Sequence, residues 1–346
     1  MIAFVAGTTG ELIKLAPLML RLEGRYVLVT TAQQATQIAP VLTELGVPPP
    51  DVWLARGRRG RDLESNTDIP VWLGSVVRGF VRHRDEVRAA DLVIVHGDTM
   101  TTLLGGLMGR SCGRRVAHVE AGLRSGDLRH PFPEEAIRRM TTRIASIHYA
   151  PGPAAAVVVS GHGAVVDTGG NTLRDALALV PEGAPSVEVP EGVFGVVSLH
   201  RYELINNRAL FAATLERLRS SPHPLLFVDH PVTVTALRRF GLDAPNRIPR
   251  LGFFGWVRLL RRAAFVVSDS GGAQEECFFL NLPCLVHRRR TERVEGMGET
   301  SVLSGFDSGR LEAFLRDFSQ HTRRSALPAV SPSDVIASDL ASRGFV

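Results

Sequence analysis

The chain has 346 residues, 45% of them hydrophobic and 22% charged, a globular composition with room for two domains of ordinary size. No run approaches the roughly 18 apolar residues of a membrane span, and Cys112, Cys277 and Cys284 lack the CxxC spacing of a zinc site or disulfide framework, which points to a reducing cytoplasm. The net charge is +5, but the arginines are scattered apart from RGRRGR at 56–61 and HRRR at 287–290, without interleaved aromatics. That argues against nucleic acid and for an anionic small substrate.

Ile2–Ala6 reads as a buried strand entered at once, so no signal peptide is expected. The turn Gly7-Thr8-Thr9-Gly10 and a helix through ELIKLAPLMLRL follow. Strand, glycine turn and helix is an arrangement that places an anion at a helix N-terminus. Lys14, in that helix, is the only lysine of the chain. Where arginine has replaced lysine everywhere else, the surviving ammonium meets a need that a planar fork does not. Tyr26–Thr30 is the next strand and 33–45 the next helix; 56–69 is a polar, arginine-rich loop; 71–89 is helical by period. The apolar strand 92–95 runs into His96-Gly97-Asp98-Thr99, with a helix from Thr101. A carboxylate just past a buried parallel strand sits where open α/β sheets bind ligands.

Residues 118–139, HVEAGLRSGDLRHPFPEEAIRR, begin as a buried strand around Glu120 and enter a helix at PEEAIRR. Pro133 suits a first helical position, and Glu134 and Glu135 suit the positive helix end. The segment can point two acids and Arg124 or Arg138 into one cleft. Equally, Glu120 can be a satisfied buried acid and the glutamates can answer the dipole alone. Both readings stand on these residues.

Strand Ile147–Ala150 and a small helix to His162 follow, and a linker rich in Pro, Gly and Glu spans 180–192. A second series then begins. Strand 193–199 ends in His200-Arg201-Tyr202-Glu203, strand 225–228 in Asp229-His230-Pro231, and strand 265–267 in Ser268-Asp269-Ser270-Gly271-Gly272 before the helix AQEECFFL. Ser-Gly-Gly at a helix start is either a diphosphate cradle or a tight turn with a capping serine. Serial βα units predict an α/β fold of two doubly wound parallel sheets, Rossmann-like, facing a central cleft. The domains expected are 1–162 and 163–332, with the C-terminal helix, 333–346, packing back on the first.

HGDTMTT (96–102), HVEAGLRSGD (118–127), FPEEAIRR (132–139), GNT–DA (170–176) and DSGGAQEE (269–276) resemble the non-hydrolysing UDP-N-acetylglucosamine 2-epimerases. Five motifs in one order span nearly the whole chain. The resemblance implies a GT-B-type fold and interconversion of UDP-N-acetylglucosamine and UDP-N-acetylmannosamine without nicotinamide, metal or other cofactor. It also implies a cytoplasmic homodimer that touches neither nucleic acid nor membrane. By motif position it makes Asp98, Glu120 and Glu134 the essential carboxylates and His230 the active-site histidine. Substrate contacts carried over are Lys14, Arg138, His200, Ser270, Gly271, Gly272, Glu276 for the ribose, Trp256 for the uracil and Arg293 for the sugar. A hydrolysing epimerase that releases N-acetylmannosamine and UDP, or a GT-B-type glycosyltransferase, is the alternative.

The chain also departs from the family. The first loop reads GTTGE where the family has GTRPE, so Thr9 replaces an arginine that meets the nucleotide. A lost charged contact costs about 1.5–3 kcal/mol, which predicts weak substrate binding unless Lys14 or Arg138 compensates. The family's Gln-His is Gln33-Gln34 here, and its His-Arg-Arg-Glu is His200-Arg201-Tyr202-Glu203. Many members bind a second substrate molecule as an activator, and these changes predict that this second site is weakened or lost, giving hyperbolic kinetics; strongly sigmoidal kinetics, or a reverse reaction that needs added activator, would contradict that. Surviving acids with a drifting periphery suit a specialised enzyme, such as one supplying an amino sugar to a secondary metabolite.

Overall fold

The computed structural model describes residues 1–56, 62–63, 68–126, 133–291 and 293–346. Most of the polar loop 56–69, and Asp127 and Phe132 of the motifs, lie outside the described residues. The chain divides into two compact units: Met1–Leu179 with Pro328–Val346, and Val180–Leu327.

Unit 1 is built on β1 (Ile2–Ala6), β2 (Tyr26–Thr30), β3 (Val52–Trp53), β4 (Leu92–His96), β5 (Arg115–Val119), β6 (Ile147–Ala150) and β7 (Ala164–Asp167). Their order is β3-β2-β1-β4-β5-β6-β7, and every pairing is parallel. Helices cover both faces of such a sheet, so its strands are continuous apolar runs; all five residues of β1 are buried. The order reverses between β1 and β4, which makes their carboxyl ends the switch point.

Unit 2 repeats the plan with β8 (Gly195–Ser198), β9 (Leu225–Asp229), β10 (Arg247–Pro249), β11 (Phe265–Ser268), β12 (Cys284–Val286) and β13 (Ser301–Leu303). The order is β10-β9-β8-β11-β12-β13, again parallel, with the switch between β8 and β11. Successive side chains of β8 and β11 face opposite cores, as the two-residue strand period requires. Val197, Phe265 and Val267 join Phe211, Phe227 and Phe314, while Val196 and Val266 join Val228, Cys277 and Cys284.

Several expectations change. The helix expected over 71–89 is two, Ile69–Arg82 and Arg84–Ala89, separated at His83, whose φ of −109° and ψ of 26° are not helical. Pro133 is the residue before the helix Glu134–Ile144 rather than its first member. β7 pairs with β6, so unit 1 continues past residue 162 and the chain crosses to unit 2 after Leu179.

The helix Pro332–Ser342 belongs to unit 1. Ile336 and Leu340 are fully buried. Polar contacts fix its register: Arg21 Nε to Asp334 Oδ1 at 2.5 Å, Tyr149 Oη to Asp339 Oδ2 at 2.8 Å, and Ser333 N to Asp175 Oδ2 at 2.8 Å.

Candidate active site

In unit 1 the turn after β1 is closed on itself. Glu11 is buried, and its Oε2 accepts the N–H groups of Gly7 and Thr8, each at 2.9 Å. Its Oε1 accepts the Thr99 hydroxyl at 2.6 Å, which ties the turns after β1 and β4 together. Burial raises the Glu11 pKa, and those hydrogen bonds oppose the rise. The helix end read as an anion site therefore already holds a carboxylate of its own. Gly7 is obligatory, because a Cβ there would lie 2.1 Å from Thr31 Oγ1. Thr9 donates its N–H (2.8 Å) and its hydroxyl (3.0 Å) to Gln34 Oε1. Two departures from the family pattern are thus direct partners.

Glu120 directly follows β5 with φ of 64°, a left-handed conformation costly for a residue with a Cβ. Its Oε2 receives Lys14 Nζ at 2.5 Å and the Asn171 side-chain amide, with His96 Nε2 at 3.7 Å. Asp98 follows Gly97 (φ 69°) in the turn after β4, and its Oδ2 accepts both Nε (2.9 Å) and Nη2 (2.5 Å) of Arg138. The helix Glu134–Ile144 separates its two leading acids. Glu135 is fully buried and accepts from Ser125 N (3.1 Å) and Arg139 Nε (3.0 Å). Burial alone would raise its pKa, but those donors, with Arg124 and Arg138 nearby, hold it below the ordinary carboxylate range. Glu134 Oε2 is buried and has no hydrogen-bond partner among the described residues. Glu135 is thus held by donors of unit 1, whereas Glu134 Oε2 meets none among the described residues.

Unit 2 gathers histidines and backbone N–H groups. The rings of His200 and His230 lie 4.4 Å apart, centroid to centroid, tilted by 31°, and His230 Nε2 lies 3.0 Å from Ser198 Oγ. Burial, then nearby positive charge, lowers His200 to about 4; burial, then His200, lowers His230 to about 3, so both rings are neutral at pH 7. Asp269 is fully buried and accepts the N–H groups of His200 (2.9 Å) and Arg201 (2.8 Å). Burial raises it to about 6 in spite of those donors. Ser270 caps the helix Gly271–Leu280, which places Gly271 and Gly272 in its first turn, where N–H groups are open to an anion. Trp256 packs partly against the core and gives its indole N–H to Glu276 Oε2 at 2.7 Å. Arg293 Nη1 pairs with buried Glu275 at 2.8 Å. Gln274 pins the same segment through Arg293 O (3.2 Å) and Glu295 O (2.9 Å).

Asp98, Glu120, Glu134, Lys14 and Arg138 thus fall in unit 1, and His200, His230, Trp256, Ser270, Gly271, Gly272, Glu276 and Arg293 in unit 2. Sequence reasoning passed over Glu11, Asn171, Asp269 and Glu275 as individuals. All four stood inside quoted stretches, Glu11 in GTTGE and the others in the motifs 170–176 and 269–276, which was the available signal.

A family model described as UDP-N-acetylglucosamine 2-epimerase matches residues 21–332. The UDP-N-acetylglucosamine 2-epimerase of Bacillus subtilis is 33% identical over 325 residues, covering 88% of this chain and 83% of its own. That of Methanococcus maripaludis is 28% identical over 333 residues, covering 88% of each. The structure of the Methanocaldococcus jannaschii UDP-GlcNAc 2-epimerase in complex with UDP-GlcNAc and UDP superposes with a TM-score of 0.82 at 26% identity, covering 99% of each chain. The expected GT-B-type fold class holds.

Proposed function

This chain belongs to the UDP-N-acetylglucosamine 2-epimerase family, and from that premise we propose that it interconverts UDP-N-acetylglucosamine and UDP-N-acetylmannosamine by eliminating and re-adding UDP. C-2 of the sugar carries an unactivated proton, so simple deprotonation is out of reach of a carboxylate. In elimination the C-2 proton passes to a carboxylate and the C–H electron pair becomes the C-1–C-2 double bond. The C-1–O bond breaks, and UDP leaves with its electrons. UDP then re-adds to the 2-acetamidoglucal while a proton reaches C-2 from the other face. This needs proton-exchanging groups and a grip on the leaving diphosphate.

In this reading Asp98, Glu120 and Glu134 exchange protons, and neutral His230 donates a hydrogen bond to the departing group. Ser270, Gly271 and Gly272 hold phosphate oxygens, Glu276 the ribose and Trp256 the uracil. Arg138, Arg293 and His200 add polar contacts. Lys14 acts through Glu120, its partner. One observation carries the reading: Glu120, in a left-handed position at the end of β5, is paired with the chain's sole lysine, and Asp98 at the end of adjacent β4 is paired with Arg138. Both acids are thereby oriented at the switch-point side of the sheet.

The test is incubation with UDP-N-acetylglucosamine in D2O, followed by proton NMR. The expected result is UDP-N-acetylmannosamine with deuterium at C-2. Free N-acetylmannosamine with UDP would move the enzyme to the hydrolysing branch; intact sugar with no exchange would reopen the transferase reading.

We further propose a homodimer. The helix Ile69–Arg82 exposes Ile69, Leu73, Val77 and Val81 at four-residue intervals, an apolar stripe suited to a second copy. Val77→Asp should yield monomers by sedimentation, and an unchanged mass would refute this interface. The cytoplasm is the proposed compartment, supported by three free, buried cysteines. No helix among the described residues is long and apolar enough to cross a membrane. Supply of an amino sugar to a secondary metabolite remains the proposed role, supported by intact acids beside the altered Thr9, Gln34 and Tyr202. A deletion strain that keeps that metabolite would argue against it.

A further inference from the structure

The loop after β7 carries a residue that the reaction as written does not use. Asn171 is 3% exposed and lies between two partners. Its Oδ1 accepts the N–H of Leu173 at 2.9 Å, at the start of the helix Leu173–Ala178. Its Nδ2 donates to Glu120 Oε2. The first bond dictates the second. A backbone N–H is satisfied only by the amide oxygen, so the amide cannot turn over, and it offers Glu120 a donor and nothing else. The helix is itself anchored within unit 1: Asp175 Oδ2 accepts Ser333 N at 2.8 Å, and Arg174 Nη1 reaches Pro328 O at 2.5 Å.

Glu120 has particular use for such a donor. It stands on a left-handed residue just past the strand end. Groups around it include Lys14 Nζ from the helix Thr9–Arg21, His96 from β4, His118 on its own strand, and Asn171. The nearby anion, Asp98, is taken by Arg138. Lys14 supplies charge on a flexible stem with freely rotating donors. Unlike Lys14, Asn171 is locked in direction by a backbone bond.

We propose that Asn171 is a positioning residue that fixes the orientation of the Glu120 carboxylate and holds it as the proton acceptor of the epimerisation. This rests on the reading of Glu120 as a proton-exchanging group. Asn171 itself touches no substrate; it acts through Glu120.

The experiment compares the full-length enzyme with Glu120→Gln and Asn171→Asp, using UDP-N-acetylglucosamine turnover and C-2 exchange in D2O across pH. Loss of exchange in Glu120→Gln tests the reading of Glu120 independently; retained exchange there would sink that reading and this proposal together. Asn171→Asp keeps an acceptor for Leu173 N–H but replaces the donor with a carboxyl group. Ionised, that group repels Glu120; protonated, it donates to Glu120 again. The expected result is a kcat lowered about tenfold or more at pH 8, recovering as pH falls, with KM within about twofold of the parent. A merely turn-forming asparagine would give a parental pH profile, and that result overturns the proposal. A raised KM with unchanged kcat would make Asn171 a substrate ligand and also overturns it. If Asn171→Asp does not fold, Asn171→Ser can still accept from Leu173 N–H but falls short of Glu120. It should lower kcat at constant KM, and parental kinetics from it would be equally decisive.

Discussion

Unit 1 surrounds its strand ends with opposite charges, whereas unit 2 uses neutral rings and backbone N–H groups. Glu120 faces an ammonium, Asp98 a guanidinium and Glu135 two arginines. The rings of His200 and His230 are neutral by burial, and Ser270 caps a helix whose first turn carries Gly271 and Gly272. Under the proposed function, the same doubly wound plan supports two kinds of chemistry. A site that must move protons keeps paired charges, because each partner fixes the other's ionisation. A site that must grip and release an anion uses dipoles, which attract charge without titrating against it.

Breaking a pair in unit 1 should have the largest effect. Lys14→Met leaves the Glu120 carboxylate buried without its cation, which costs about 3–5 kcal/mol of stability. The expected result is a kcat lowered on the order of a hundredfold together with a falling Tm. Parental kinetics by coupled assay, or an unchanged melting curve, would show that the pair is not what organises unit 1.

The neutral rings make a pH prediction of intermediate size. Burial lowers His287, between Thr214 and Ser304, from the ordinary 6.5 to about 4. Between those values the unfolded chain binds the proton and the folded chain does not. Stability is therefore full above pH 6.5, is lost as pH falls toward 4, and levels off below, by roughly 3 kcal/mol for this residue. His200 and His230 add in the same direction. Asp269 opposes them: raised to about 6, it contributes stability at low pH that is lost as pH rises through that value. Melting curves of His287→Gln should show a shallower loss between pH 6.5 and 4 than the parent. Parallel curves would assign the acid sensitivity elsewhere.

The smallest effect concerns the closed turn after β1. Thr9→Arg restores a cation worth about 1.5–3 kcal/mol to a nucleotide, but it removes the hydroxyl bond to Gln34. The net expectation is a KM lowered by only a few-fold. An unchanged KM in steady-state assays would mean that the nucleotide does not approach this turn.

The strands that form the centres of both sheets were legible because burial on both faces writes an unbroken apolar run. β3, β10, β12 and β13 were not, since two or three residues carry no period. The acids were legible as candidates, but not their division of labour. Nothing in PEEAIRR says that Glu135 is saturated with donors while Glu134 is not. Asn171 and Asp269 stayed hidden for a different reason. Their partners lie 51 and 69 positions away in sequence, so only the closed fold brings them together.

The path of the chain also bears on how the protein is made. Val180–Leu327 is continuous, but unit 1 is completed by Pro328–Val346, which are synthesised after all of unit 2. Until they emerge, Arg21, Tyr149 and Asp175 lack the partners that hold the closing helix. Unit 2 can finish folding during synthesis. Unit 1 therefore closes only after unit 2 has been made, and a chain that stops before the helix Pro332–Ser342 leaves unit 1 incomplete.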